Sequence, residues 1–230
     1  MSIQKTETNI EQDRQLRTFY AMVPLYLLVP VGYGLAMGAM HRPMQWWVFG
    51  LGAFGWFVAM GLRSPIALAV GKKLPQAVAQ TVVTSASGPL EEILRMVLVL
   101  LFVRTTTQAL SLGQGWAAIE VVLSIVNGFV LATVLQRGDE KSREVRAVLE
   151  AQGRGHGSPA WGVLERIFGS AYHIGATLIV MHNLWLFIPL MIVHSVYNLV
   201  AVRLLKRSIV MTELWIALLG TITFALGAVL

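Results

Sequence analysis

Gly88-Pro89-Leu90-Glu91-Glu92-Ile93-Leu94-Arg95 is the stretch that decides how this chain must fold. It sets two carboxylates and a guanidinium inside an apolar run long enough to cross a bilayer. A charge at the bilayer centre costs about 3 kcal/mol or more, so such groups face a bundle interior or a wet cavity and pair there. Adjacent glutamates project about 100° apart on a helix, whereas Arg95 lies four residues beyond Glu91 and three beyond Glu92, within reach of either. One arginine can therefore offset two carboxylates without silencing both. A structural ion pair between helices is the plain reading of such a group, and the rest of the chain decides whether it suffices.

Outward from this stretch the composition is that of a membrane protein. Of 230 residues, 56% are hydrophobic and 13% charged, against about 25% charged in soluble domains; mean hydropathy is +0.65. There is no cysteine, which excludes disulfides and thiolate metal sites. The net charge of +6 reflects topology rather than nucleic-acid binding.

A hydrocarbon core needs roughly 20 apolar residues per helix, and by that measure the sequence holds about seven spans, near 19–40, 44–62, 77–103, 112–136, 159–181, 184–202 and 211–230. The expected fold is all-α: a polytopic transmembrane bundle with a cytoplasmic N-terminus. A polar tail, 1–18, precedes a single transmembrane domain, 19–230. The apolar run from Phe19 is too long, and lacks the small-residue cleavage site, for a secretory signal. The third span is long enough to break at Ser85-Ala86-Ser87-Gly88-Pro89, with Ser87 capping a new start and Pro89 in its first turn. The one sizeable hydrophilic connection, 137–158, reads as a cytoplasmic linker with a short helix over 139–151. His156 in its glycine-rich part is a weak metal candidate.

Of the 18 lysines and arginines, all but Arg42, Arg104, Arg95 and Arg166 fall on the tail's side of the membrane, which predicts that this side is cytoplasmic. Trp46, Trp47, Trp116, Trp161, Trp185 and Trp215 lie near span ends, as an interfacial belt predicts; Trp56 is mid-span.

Further ionisable groups punctuate the spans: Glu120 in the fourth, Glu165, Arg166 and His173 in the fifth, His194 in the sixth. His194 and Asn198 share a face at i, i+4, and Glu165 and His173, eight apart, share another. At about 1.5 Å rise per residue, Glu92 lies roughly 18 Å, His173 about 20 Å and His194 about 15 Å into their spans, all near the midplane. Each alone has a structural explanation: packing through hydrogen bonds for the histidines and Asn198, a pair with Arg95 for Glu120, snorkelling for Glu165 and Arg166. Their convergence at one depth points instead to a site. A glutamate with a nearby histidine can deprotonate water, and a histidine and an asparagine one turn apart can donate to an oxyanion. The same carboxylates and imidazoles, Glu92, His173 and His194, are the candidate ligands for a divalent metal such as zinc, although the His-Glu-x-x-His spacing of zinc proteases is missing.

Glu91-Glu92-x-x-Arg95, then Glu165-Arg166-Ile167-Phe168 running on to His173, then His194-x-x-x-Asn198, resemble the YhfC-type family. That family is grouped with the CAAX-processing and bacteriocin-processing (CPBP) intramembrane proteases. The similarity runs from about Gly88 to Lys206, with a protease-like core over about 77–207. It implies a glutamic-type, possibly metal-dependent intramembrane protease. Glu91 or Glu92 would be the base, helped by His173; His194 and Asn198 would line the oxyanion site; Arg95, Glu120 and Glu165 would support them. The family's Gly-His-Gly turn before the fourth-span acid reads Gly113-Gln114-Gly115 here. Two residues separate Glu92 from Arg95, where the wider superfamily has three, which favours the YhfC branch.

The expected function is therefore hydrolysis of a peptide bond in a membrane-associated polypeptide. The expected setting is the lipid bilayer of a prokaryotic cytoplasmic membrane, with no nucleic-acid partner. The rival readings are a proton-coupled transporter using the same carboxylates, and a non-catalytic scaffold or immunity-type protein.

Overall fold

The computed structural model describes residues 2–136, 139–151 and 158–230; His156 lies outside them. Among the described residues every regular element is helical. The α-helices are α1 (Ser2–Ala39), α2 (Trp46–Gly71), α3 (Gln76–Phe102), α4 (Thr106–Gln136), α5 (Glu140–Ala151), α6 (Pro159–His182), α7 (Phe187–Leu205) and α8 (Ile209–Val229). A 3-10 turn, Leu184–Leu186, leads into α7. Five segments are long and apolar enough to cross a membrane: Leu16–Ala39, Trp46–Gly71, Thr106–Val134, Leu184–Leu205 and Ile209–Val229. They mark an integral membrane protein. The helices α3 and α6 fall outside that set, and they are the two that carry Glu91, Glu92 and Arg95, and Glu165 and Arg166.

Several boundaries move from their sequence-based positions. The tail is continuous with the first span in one 38-residue helix. The short helix of the linker forms as α5. The fourth helix starts at Thr106 rather than near 112 because Thr105 and Gln108 cap it reciprocally: Gln108 N–H donates to Thr105 Oγ1 (3.3 Å) and Thr105 N–H to Gln108 Oε1 (3.2 Å). At the other side of the bundle, Ser158 and Ser208 cap α6 and α8.

The expected break at Ser85–Pro89 does not occur; α3 runs through it. Pro89 has no N–H for the Ser85 carbonyl, but the Ser195 hydroxyl on α7 stands 2.8 Å from that oxygen and shares its one proton between it and the Met191 carbonyl of its own helix, also at 2.8 Å. A neighbouring helix thus reaches the freed group. The approach is close enough that a Cβ on Gly88 would stand 2.4 Å from the Met191 carbonyl oxygen. Proline and glycine here serve helix contact, not helix termination.

Packing closes six helices into a ring in the order α2, α3, α7, α8, α6, α4, with α1 outside against α4 and α6. Glycines allow the tightest seams: Gly52 and Gly115 join α2 to α4, Gly113 joins α4 to α6, and Gly175 and Gly220 join α6 to α8. One end of the ring is filled by an apolar core that includes Val99, Leu112, Tyr172, Ile174, Val180 and Leu190. The outer faces carry exposed Leu28, Leu35, Phe54, Ile192, Leu214 and Leu226, as lipid contact requires. Trp46, Trp47 and Trp185 are exposed as belt residues should be. Trp116 is not: it is fully buried inside the ring, because its indole N–H is needed by a buried carboxylate.

Candidate functional site

All six ring helices, and not α1, line an inner cavity of about 300 Å³ that ends at Glu91, His173 and His194. It continues into a wider vestibule of about 870 Å³ lined by Ser158, Trp161, Lys206 and Arg207, where α6 begins and α7 ends. The apolar core fills the far end of the ring. The site is thus a funnel open towards the side that the lysine and arginine count marks as cytoplasmic.

Two layers of polar contacts meet at its tip. In the inner layer Arg95 is fully buried and commits all three guanidinium nitrogens. Its Nε donates to Glu92 Oε2 (2.9 Å), Nη1 to the His173 carbonyl (3.1 Å) and Thr177 Oγ1 (2.8 Å), and Nη2 to His173 Nδ1 (3.0 Å). The guanidinium carbon also lies 4.4 Å from the Trp116 ring centre, a cation–π contact. Because arginine can only donate, His173 Nδ1 must accept, so a neutral His173 carries its proton on Nε2 and donates it to Glu120 Oε2 at 2.8 Å. Glu120 also receives Arg166 Nη1 at 2.8 Å, and Arg166 pairs with Glu165. Glu120 therefore pairs with Arg166 and not with Arg95.

The second layer faces the cavity. Glu92, fully buried, accepts from His194 Nδ1 at 2.7 Å. That contact orients the ring and, in a neutral imidazole, places the proton on Nδ1 and the lone pair on Nε2. Among the described residues Nε2 makes no hydrogen bond; Glu91 Oε1 stands 3.9 Å away. Glu91 is held by a pair with Arg63 from α2 and by Trp116 Nε1, which donates to Oε2 at 3.0 Å. Asn198 lines the same cavity and donates one amide N–H to Ser87 Oγ at 2.7 Å, leaving its second N–H for another acceptor.

Glu91, Glu92, His194 and Asn198 are thereby brought to one place, with Arg95 behind them. His173 is adjacent, its ring centre 5.7 Å from that of His194, yet it contacts Arg95 and Glu120 rather than Glu91 or Glu92. Gln114 of the Gly113-Gln114-Gly115 run points away from the site and donates to the Pro30 carbonyl of α1 at 2.7 Å. Its neighbours Gly113 and Gly115 face α6 and α2, so the turn works as a three-way seam.

Of the candidate metal ligands Glu92, His173 and His194, the first two are bridged by the Arg95 guanidinium, which donates to Glu92 Oε2 and His173 Nδ1. Among the described residues, no group of three or more His, Asp or Glu is arranged to hold a metal ion.

Sequence reasoning missed Arg63, Trp116 and Glu213. Trp116 and Arg63 look like an interfacial tryptophan and a topology-setting arginine, and only helix packing turns them inward. Glu213 was findable as a carboxylate inside the last span. No family model, curated protein or solved structure matches the chain.

Proposed function

We propose that the protein is an intramembrane hydrolase that cleaves a peptide bond of a membrane-associated polypeptide. The observation that carries this reading is the separation between His194 Nε2 and Glu91 Oε1, 3.9 Å at the closed end of a polar cavity. That gap is too long for a direct hydrogen bond, and both residues line the cavity, from which a water can reach them. In this reading Glu92 orients His194, as a buried carboxylate orients a catalytic imidazole. Water between His194 and Glu91 gives its proton to Nε2 as its oxygen attacks the scissile carbonyl. The second N–H of Asn198, with Arg63, meets the developing oxyanion. His194 then returns the proton to the leaving amine as the C–N bond breaks. Glu91 positions the water, and the Arg95–His173–Glu120 network holds Glu92 in place.

The topology belongs to the same proposal: α3 and α6 join the five apolar spans to make seven, with the N-terminus and the funnel mouth on the cytoplasmic face of a prokaryotic inner membrane. Both helices hide their charges inside the ring, which is the condition for carrying them through hydrocarbon. The likeness to YhfC-type proteases rests on Glu91, Glu92 and Arg95, Glu165 to Phe168 with His173, and His194 with Asn198; it implies a glutamate base, whereas the base proposed here is His194. A proton carrier would have to open the packed core at the other end of the bundle in a second state.

The test is cleavage of a panel of membrane-anchored peptides by detergent-purified protein. Wild type is expected to cut at least one, Glu91→Gln and His194→Ala to cut none, and a chelator to leave the rate unchanged. No cleavage by wild type across the panel, or equal cleavage by the variants, overturns the hydrolase.

A further inference from the structure

Glu213 on α8 is 6% exposed, and its Oε2 is buried without a hydrogen-bond partner among the described residues. It lines both the inner cavity and the vestibule. The charges beside it are already matched: Arg63 pairs with Glu91, and Arg166 with Glu120 and Glu165. Lys206 and Arg207, at the mouth, are exposed to solvent. Glu213 is thus a carboxylate left over inside the funnel; Glu165 lines the same cavity and vestibule, and its side chain stays 41% exposed beside its pair with Arg166. A buried carboxylate without a partner is costly unless a cation or donor arrives with the ligand.

Helix position fixes where that cation would sit. Glu213 is four residues from Ile209, about 6 Å into α8, and His194 is eleven from Leu205, about 16 Å into α7. The two helix ends are joined by the short turn through Ser208. The level of Glu213 is therefore roughly 10 Å nearer the mouth than the water site, a distance spanned by about three residues of extended chain.

We propose that Glu213, with Glu165, receives a lysine or arginine side chain of the polypeptide substrate, about three residues to the mouth side of the bond that meets His194. This rests on the hydrolase reading for its register, but not for the binding itself.

The test uses full-length protein in detergent and a model transmembrane peptide carrying Lys, Gln or Glu at that position. Equilibrium binding is measured to the His194→Ala protein, so that cleavage does not enter and Arg63 keeps its pair with Glu91, and cleavage is measured with wild type. The Lys peptide is expected to bind about ten-fold tighter than the Gln peptide. Glu213→Gln, in the same background, should erase the preference, and Glu213→Lys should transfer it to the Glu peptide. An unchanged preference in Glu213→Gln, or none in the parent, overturns the inference. Lys-selective binding without cleavage would sustain this site while the hydrolase falls; cleavage indifferent to the charge would do the reverse.

Discussion

Two clusters of charge lie side by side in this ring, and they differ in what is left unsatisfied. Around Arg95 every strong group is used: three nitrogens of the guanidinium, both imidazole nitrogens of His173 and both carboxylate oxygens of Glu120 have partners. A saturated buried network holds a structure in one arrangement. Around His194 the contacts stop short: its Nε2 has no hydrogen-bond partner among the described residues, and the Glu91 oxygen 3.9 Å away is itself taken up by Arg63 at the end of a cavity. Similar residue types at similar depth thus do different work, and the difference is hydrogen-bond valence rather than identity. Histidines in particular cannot be ranked without it.

The sharpest way to break this contrast is to remove one member of each cluster. In the open cluster, His194→Ala should lower cleavage by about 10²- to 10⁴-fold, the range of general-base contributions, with little change in thermal stability. Glu91→Gln should lower cleavage as well but also cost stability, because it leaves Arg63 without its carboxylate. In the saturated cluster, Arg95→Ala should destabilise by about 3–5 kcal/mol, because it leaves Glu92 buried without its cation; loss of the folded fraction in thermal denaturation measures this. Arg95→Lys keeps the charge but not the fork of donors, so it should recover only part of that stability. A smaller effect is expected at the α3–α7 contact. Ser195→Ala removes the donor to the Ser85 carbonyl and should cost about 0.6 kcal/mol, the average for a hydrogen bond between membrane helices. The smallest lies outside both clusters: Thr105→Ala removes half of the α4 cap, worth about 0.5 kcal/mol at the low end of capping effects, read as a small drop in melting temperature.

Much of the fold was legible in the sequence because hydrocarbon allows few choices. Each proposed span corresponds to a helix, and the short linker helix forms within a residue or so of its expected start. The start of α4 was misplaced although Thr105-x-x-Gln108 is a visible capping pair; hydropathy alone outweighed it. The continuity of α3 was not legible, since whether Pro89 breaks a helix depends on Ser195, 106 positions away. For the site, depth counting puts Glu92, His173 and His194 at one level, and in the structure Glu92 touches His194 while Arg95 bridges Glu92 and His173. What depth cannot give is azimuth. Arg63 and Trp116 turn inward, and His173 turns towards Glu120, for reasons that lie in how six helices share a ring.

The claim that valence separates a reactive histidine from a structural one is tested most directly by His194→Ala against His173→Asn. Cleavage of one membrane-anchored peptide is measured per mole of folded protein. The account predicts at least a hundred-fold loss for His194→Ala and a few-fold loss for His173→Asn, whose amide retains both a donor and an acceptor. Equal losses, or a larger loss at His173, would contradict it.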